Sequence, residues 1–324
     1  MKLTLPSDYI HQAATLINEA TDRIFLIAMV VADHPETHEL IAALEAAAKR
    51  GVAVTVAADV FTYGEVNGSF LPVKYYSPNA KLATKMAKNL RAAGVKFHWL
   101  GRGRITLLSG RTHSKWCVID NTVFTFGGVN IYNQGITNID YMFKLVNNRL
   151  ADRLAYEQDR IQRADRSSTN YPSLSYELNG DSVLIDGGII SQSIIYRRAC
   201  ELARDASKVL FVSQYCPTGK LGRILKTKDA KVYFNQPHQA HSFNRWLIRL
   251  SLLTSGIKTL YTKERYLHSK FIIFTMSDGS KVALTGSHNF AYTGVLFGTR
   301  EIALETKDPA VISQLESFYR AHIA

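Results

Sequence analysis

Apolar positions along this chain fall into short runs that alternate with amphipathic segments. Residues 5–22 carry apolar side chains at helical spacing, with Pro6 near the start, and predict a helix. Residues 23–31 (RIFLIAMVV) are continuously apolar, as expected of a central strand buried on both faces. A helix with an alanine-rich face follows over 35–49, closed by Arg50-Gly51, and then a strand over 52–60. This β-α-β order argues for a parallel sheet covered by helices. Residues 61–79 break the periodicity with Gly, Asn and Pro while concentrating aromatics, which predicts a long functional loop. A helix over 80–93, a strand over 95–100 and a basic Gly-Arg loop come next. A further strand starts near Asp140 and Met142, a charged helix over 148–166 links the halves, and 167–175 (SSTNYPSLS) read as linker.

The plan then repeats, with a helix over 191–204, an apolar strand over 208–213 and a short helix over 221–226. A strand over 230–234, a helix over 238–253 and a strand over 257–261 complete it. Ile24 lies 89 residues before His113, and Val209 lies 59 before His268, so the first copy holds about 30 extra residues. The expected division is 1–166 for the first repeat, 167–190 for the linker and entry to the second, and 191–324 for the second repeat.

Both copies close on one pattern. Residues 111–130 read RTHSKWCVIDNTVFTFGGVN, and residues 267–289 read LHSKFIIFTMSDGSKVALTGSHN. Period-2 alternation puts His113 and Lys115 on one strand face, and His268 and Lys270 likewise, with Ser114 and Ser269 on the other. The turns at Gly127-Gly128 and Gly286-Ser287 bring Asn130 and Asn289 back towards them. Two sets of imidazole, ammonium and amide result, and the duplication suggests that they face each other.

The pattern HxKxxxxD followed by GG/GSxxN resembles the phospholipase D superfamily, bacterial cardiolipin synthases included, and it occurs twice. The first copy is complete at His113, Lys115, Asp120, Gly127, Gly128 and Asn130. The second matches at His268, Lys270, Gly286, Ser287 and Asn289, but Thr275 stands where the acid belongs, and Asp278 lies in what reads as a hairpin turn. In the family that acid is mainly structural. The resemblance implies an internally duplicated α/β fold, a phospholipase D-like α-β-α sandwich with pseudo-twofold symmetry and the two His-Ser-Lys strands adjacent at its centre.

Phosphodiester cleavage needs a nucleophile, a proton for the leaving oxygen and positive groups for the phosphoryl oxygens. A facing pair of HxK…N motifs supplies all three without metal or cofactor. The resemblance implies a phosphohistidine intermediate on His113, with His268 as acid/base, and Lys115, Lys270, Asn130 and Asn289 holding the phosphoryl oxygens. Each imidazole also needs an orienting carboxylate. Asp140 and Glu301, at the heads of IDYMFKLV and REIALET, are the candidates, and which serves which histidine is open at this point. His98, His238 and His241 show no metal-ligand spacing, while His288 sits inside the GSHN turn.

Charge bears on the substrate. The chain has a formal net charge of +12, and two stretches more than account for it. Residues 66–119 hold ten Lys/Arg and no acid, and residues 207–270 hold twelve against Asp229 and Glu264. Both run into a His-Ser-Lys motif and predict a positive field that attracts an anionic phosphodiester substrate. A phospholipid is favoured, because Phe70, Leu71, Tyr75 and Tyr76 beside Lys74 suit peripheral contact with a membrane. A nuclease of the same superfamily, acting on DNA or RNA, is the alternative, and a non-catalytic polyanion binder ranks last. No signal peptide or membrane span is evident, and Cys117, Cys200 and Cys216 lack disulfide or zinc spacing. The expected location is cytoplasmic, peripheral at the inner membrane face.

Overall fold

The computed structural model describes residues 1–66, 77–102, 110–240 and 242–324. The aromatic positions Phe70, Leu71, Tyr75 and Tyr76 with Lys74, most of the basic Gly-Arg loop, and His241 lie outside the described residues. The first half runs β1 (Lys2–Thr4), α1 (Pro6–Glu19), β2 (Arg23–Ala28), α2 (His38–Lys49), β3 (Ala53–Asp59), α3 (Thr62–Glu65), α4 (Pro78–Ala92), β4 (Lys96–Leu100), β5 (Trp116–Ile119), β6 (Thr122–Thr125), α5 (Asn133–Thr137), β7 (Met142–Val146) and α6 (Asn148–Arg166). The second runs β8 (Leu174–Leu178), β9 (Asp181–Gly187), α7 (Ile194–Asp205), β10 (Lys208–Val212), α8 (Gly219–Leu225), β11 (Asp229–Tyr233), α9 (Ser242–Ser255), β12 (Phe271–Thr275), β13 (Lys281–Gly286), α10 (Tyr292–Phe297), β14 (Arg300–Thr306) and α11 (Pro309–His322).

Among the described residues two seven-stranded sheets form, ordered β1-β7-β6-β5-β2-β3-β4 and β11-β10-β12-β13-β14-β9-β8. In each, a parallel part (β2, β3 and β4 in the first, β10 and β11 in the second) continues into an antiparallel ladder carrying the motif strand. The internal duplication read from the sequence is therefore present in the sheet order itself. The hairpin of β8 and β9 lies within the segment read as linker and entry, and extends the second sheet past β14.

Helix starts follow local chemistry. Ser77 caps α4 through Ala80 N–H, Asn147 caps α6 through Leu150 N–H, and Asp308 caps α11 through Ala310 N–H. Helices α1, α2 and α4 cover one sheet, and α7 with α8 covers the other. Between the sheets lies a shared core that includes Trp116, Phe143, Phe271, Ile302 and Phe318. A large apolar side chain buried there contributes about 1.5–3 kcal/mol, so dozens of them hold the halves as one body. Gln158 of α6 anchors this core by accepting from Trp116 Nε1 (2.9 Å) while donating to Leu26 O (3.0 Å).

Two expectations need correction. Residues 257–261 form no strand, and Leu260 N–H makes a backbone bond to Val232 O at 2.8 Å. The reason is Thr259, whose hydroxyl accepts from Phe234 N–H (2.9 Å) and donates to Phe234 O (2.6 Å), taking the place of a ladder bond. Nor are the His-Ser-Lys triplets within adjacent strands. Each lies just ahead of its strand, and β5 and β12 belong to different sheets. The Asp278-Gly279 hairpin turn is present between β12 and β13, with Gly279 at φ +83° and Met276 N–H bonded to Ser280 O.

Candidate active site

The triplets leave their ladders because their backbones cross to the other half. His113 N–H and Ser114 N–H both donate to Arg300 O (2.8 and 3.0 Å), and Arg300 N–H returns a bond to Arg111 O (2.8 Å). The second copy mirrors this. His268 N–H and Ser269 N–H donate to Ile139 O (3.0 and 2.9 Å), and Ile139 N–H returns to Tyr266 O (2.9 Å). The residue after each crossing carbonyl is a carboxylate, so each acid is delivered to the imidazole of the opposite repeat.

His113 Nδ1 stands 3.1 Å from Glu301 Oε1, and His268 Nδ1 stands 2.6 Å from Asp140 Oδ2. Since a carboxylate can only accept, a neutral His268 carries its proton on Nδ1 and leaves Nε2 for a ligand. Asp140 is itself fixed by Gly128 N–H (3.2 Å) and Tyr141 N–H (2.9 Å). Glu301 is fixed by the Ser287 hydroxyl at 2.5 Å. The Gly-Gly and Gly-Ser turns thus hold the two acids by different groups. A Cβ at Gly127 would sit 1.8 Å from Tyr141 O, and one at Gly128 would sit 2.7 Å from Asp140 Oδ2. At Gly127 only a backbone shift would make room for a side chain, and at Gly128 the Asp140 carboxylate would have to move.

His113, Lys115, Asn130, His268, Lys270, Asn289 and Glu301 all open onto one cleft. Both lysines are buried and fold back onto their own motif. Lys115 Nζ donates to His113 O (2.8 Å), and Lys270 Nζ donates to His268 O. Asn130 Oδ1 accepts from Val30 N–H at 3.2 Å. Ser114 and Ser269 are buried away from the cleft, as alternation requires.

Burial dominates the electrostatics. It drives the His268 imidazole down to about 4, helped by the Lys270 charge and resisted by Asp140. It also drives Lys270 down to about 7, with Asp140 resisting and Lys115 adding to the fall. Lys115 is lowered by the same desolvation, with Glu301 and Asp140 opposing it. Burial works against the Glu301 carboxylate, but the charge and hydrogen bond of His113 outweigh it and hold the acid at about 2. Two desolvated ammonium groups facing an open cleft are short of negative charge. An anion between them would restore their proton affinity.

Asp120 lies elsewhere. Its carboxylate accepts from the N–H groups of Thr21, Asp22 and Arg23 (3.1, 3.1 and 2.9 Å) at the start of β2. Thr275 occupies the matching position in the second half, where Ser207 instead bonds Thr275 O through its N–H (2.8 Å) and its hydroxyl (3.0 Å). The missing acid therefore costs the second copy a strand-entry contact and nothing in the cleft.

Several residues outside the motifs line the cleft or support it. Arg300 is fully buried, and its guanidinium donates to Gly110 O (3.2 Å) and Thr169 O (2.9 Å), locking the crossing ahead of Glu301. The charged residue opening an otherwise apolar strand was the available signal. Gln214, Tyr215 and Asn244 reach the cleft from the loop after β10 and from α9, joined through Gln214 Nε2–Tyr215 Oη (3.0 Å) and Tyr215 Oη–Asn244 Oδ1 (2.7 Å). His288 also lines it. Its Nδ1 accepts from Phe290 N–H (2.8 Å), and burial lowers the imidazole to about 4. Met29, Phe61, Leu247, Ala291 and Phe297 give the cleft an apolar side.

Residues 14–161 match the family model described as cardiolipin synthase, PLD-like domain. None of the curated proteins matches the chain. Among solved structures, phosphatidylserine synthase from Haemophilus influenzae Rd KW20 superposes with a TM-score of 0.74 at 16% identity, covering 100% of this chain and 86% of that one. Polyphosphate kinase from Porphyromonas gingivalis superposes with a TM-score of 0.62 at 14% identity, covering 98% of this chain and 49% of the kinase. At these identities the likeness is one of fold.

Proposed function

We propose that this chain works as an enzyme of the phospholipase D superfamily, cleaving or transferring phospholipid phosphodiesters through a phosphohistidine, a reading supported by the family match over residues 14–161 and by the shared fold. The observation that carries this reading is the crossed pairing at one cleft, His113 with Glu301 and His268 with Asp140. In the first step His113 Nε2 attacks phosphorus, the P–O bond to the headgroup alcohol breaks, and His268 gives that oxygen its proton. In the second step His268 takes a proton from water or an acceptor alcohol. The new oxygen then displaces His113, breaking the P–N bond. Lys115, Lys270, Asn130 and Asn289 neutralise the phosphoryl oxygens, which is where electrostatic catalysis has most to gain.

His268 has a low proton affinity in the empty site. An incoming phosphoanion offsets the charges of Lys115 and Lys270, so substrate binding itself loads the acid. The apolar side of the cleft supports a lipid, as does the description of the matching family. The fold is shared with a phosphatidylserine synthase. The test is incubation with anionic phospholipid, and separately with single- and double-stranded DNA and RNA, in EDTA. Headgroup release or exchange is expected, with a covalent adduct that survives in His268→Ala and disappears in His113→Ala. Cleavage of nucleic acid alone would replace the substrate assignment, and an adduct persisting in His113→Ala would reverse the two histidines.

A further inference from the structure

Helix α9 has two working faces, and the cleft uses one of them. Ile248, Ser251 and Ser255 are buried, while Asn244 and Leu247 line the cleft. On the opposite side Trp246, Leu250 and Leu253 are 56%, 40% and 85% exposed, at positions i, i+4 and i+7 of one stripe. Arg245, whose Nε donates to Ala240 O (3.0 Å), and Arg249 are exposed along one flank of the stripe, and the helix SFNRWLIRLSLLTS contains no acid. Single exposed apolar residues are ordinary, but an apolar stripe studded with arginine at the rim of a candidate active site is not.

We propose that this outer face of α9 seats the protein on an anionic bilayer. The inference rests on the phospholipid reading and adds the surface that would deliver the cleft to its substrate. An interfacial helix buries an apolar stripe at the headgroup boundary, with Trp at that level and arginine against anionic lipid. A helix is about 10 Å across. A bilayer against Trp246 and Leu253 therefore lies about one helix width from Asn244 and Leu247 on the cleft wall. Single-stranded nucleic acid would reward Arg245, Arg249 and Trp246 but has no use for two exposed leucines. That difference favours lipid.

The experiment floats the full chain with phosphatidylcholine vesicles, with and without phosphatidylglycerol. Trp99 and Trp116 are buried, so a shift in tryptophan emission on vesicle binding reports Trp246, and Trp246→Phe identifies it. Binding to the anionic vesicles with a blue shift is expected. Trp246→Ser/Leu253→Ser and Arg245→Glu/Arg249→Glu should each weaken it on the order of tenfold or more, with circular dichroism unchanged. Turnover of a soluble short-chain phospholipid, dispersed as monomers, should stay at the wild-type rate in both. Equal vesicle binding by variants and wild type would overturn the proposal, as would variants that lose only retention of single-stranded DNA. A wild-type protein that binds vesicles through this face yet turns over no soluble lipid would instead overturn the catalytic reading and leave the surface standing.

Discussion

Glu301 and His113 come from opposite repeats and meet at 3.1 Å, Oε1 to Nδ1. The mirror pair, Asp140 and His268, meets at 2.6 Å. Neither repeat pairs its own histidine with a carboxylate, so the paired arrangement exists only when both repeats are together.

That crossing gives the two acids different kinetic signatures. Glu301→Gln leaves an acceptor for the Ser287 hydroxyl but removes the charge beside His113. Formation of the covalent adduct should slow on the order of 10²–10⁴-fold. Asp140→Asn weakens His268, so with a nitrophenyl ester, whose leaving group needs no acid, the adduct should form normally and accumulate. Rapid-quench measurement of adduct against time distinguishes them. The same signature from both variants would mean that the roles are not divided this way.

Local features of the site were legible in the sequence because the short stretches just ahead of β5 and β12 and the tight turns that follow fix them. The His-x-Lys spacing, the small residues at 127, 128 and 286, and Asn130 and Asn289 all belong to such features. Asp140 and Glu301 could be picked out as acids heading apolar runs. Their crossed assignment could not, because it depends on the carbonyls of Ile139 and Arg300 capturing backbone from the other repeat. Gln214, Tyr215 and Asn244 follow no periodicity. They are brought to the cleft by the loop after β10 and by α9. The strand expected at 257–261 failed for a local reason instead, since periodicity does not register one hydroxyl, that of Thr259, replacing a ladder bond.

The protonation state of His268 should depend on what occupies the cleft. Its imidazole, down at about 4, is neutral at pH 6. A phosphate ester between Lys115 and Lys270 should move its titration upward, and the imidazole ¹⁵N shifts of labelled protein, with and without a non-hydrolysable phosphonate, report this directly. A titration that does not move on phosphonate binding would remove the account of how the acid is loaded.

Gly128→Ala places a methyl where 2.7 Å separates it from Asp140 Oδ2 and 3.0 Å from His268 O. The side-chain oxygen can swing away, so the fold should survive while turnover drops at least tenfold through misplacement of Asp140. Gly127→Ala instead drives a methyl against Tyr141 O at 1.8 Å, which only a backbone shift relieves. That variant should lose several °C of Tm as well as activity. Melting curves run beside rate assays separate the two.

Asp120 should matter to stability and not to chemistry. Asp120→Ala removes the acceptor of three N–H groups at the start of β2, of which that of Arg23 is part-buried, a loss of about 1 kcal/mol. The pKa of this carboxyl is lowered: burial opposes ionisation, and the backbone bonds from Arg23, Thr21 and Asp22 outweigh it. Its contribution is therefore present above the unfolded value and lost as pH falls through the folded one. Denaturant midpoints of wild type and variant should differ at neutral pH and converge at acid pH, with KM unchanged throughout.

Asp186 carries the opposite sign. It lies directly across the β9–β14 ladder from Glu301 and is buried against the Ser193 hydroxyl (2.5 Å), Ile194 N–H (2.7 Å) and the Ser173 hydroxyl (3.1 Å). Burial raises its carboxyl to about 7, with the Ser193 and Ile194 bonds opposing and the Glu301 charge adding to the rise. A folded value above the unfolded one means that the native state keeps a proton the unfolded chain has released. Its stability is whole below the unfolded value of 3.8 and is lost as pH rises through about 7. Asp186→Asn mimics the protonated acid and should abolish this loss. Histidines lowered by burial, His268 and His288 among them, titrate in the other direction in both proteins, so the comparison is a difference of differences. On going from about pH 5 to about pH 8, wild type should lose more of its unfolding free energy than Asp186→Asn does. Equal losses would show that Asp186 does not hold its proton across that range.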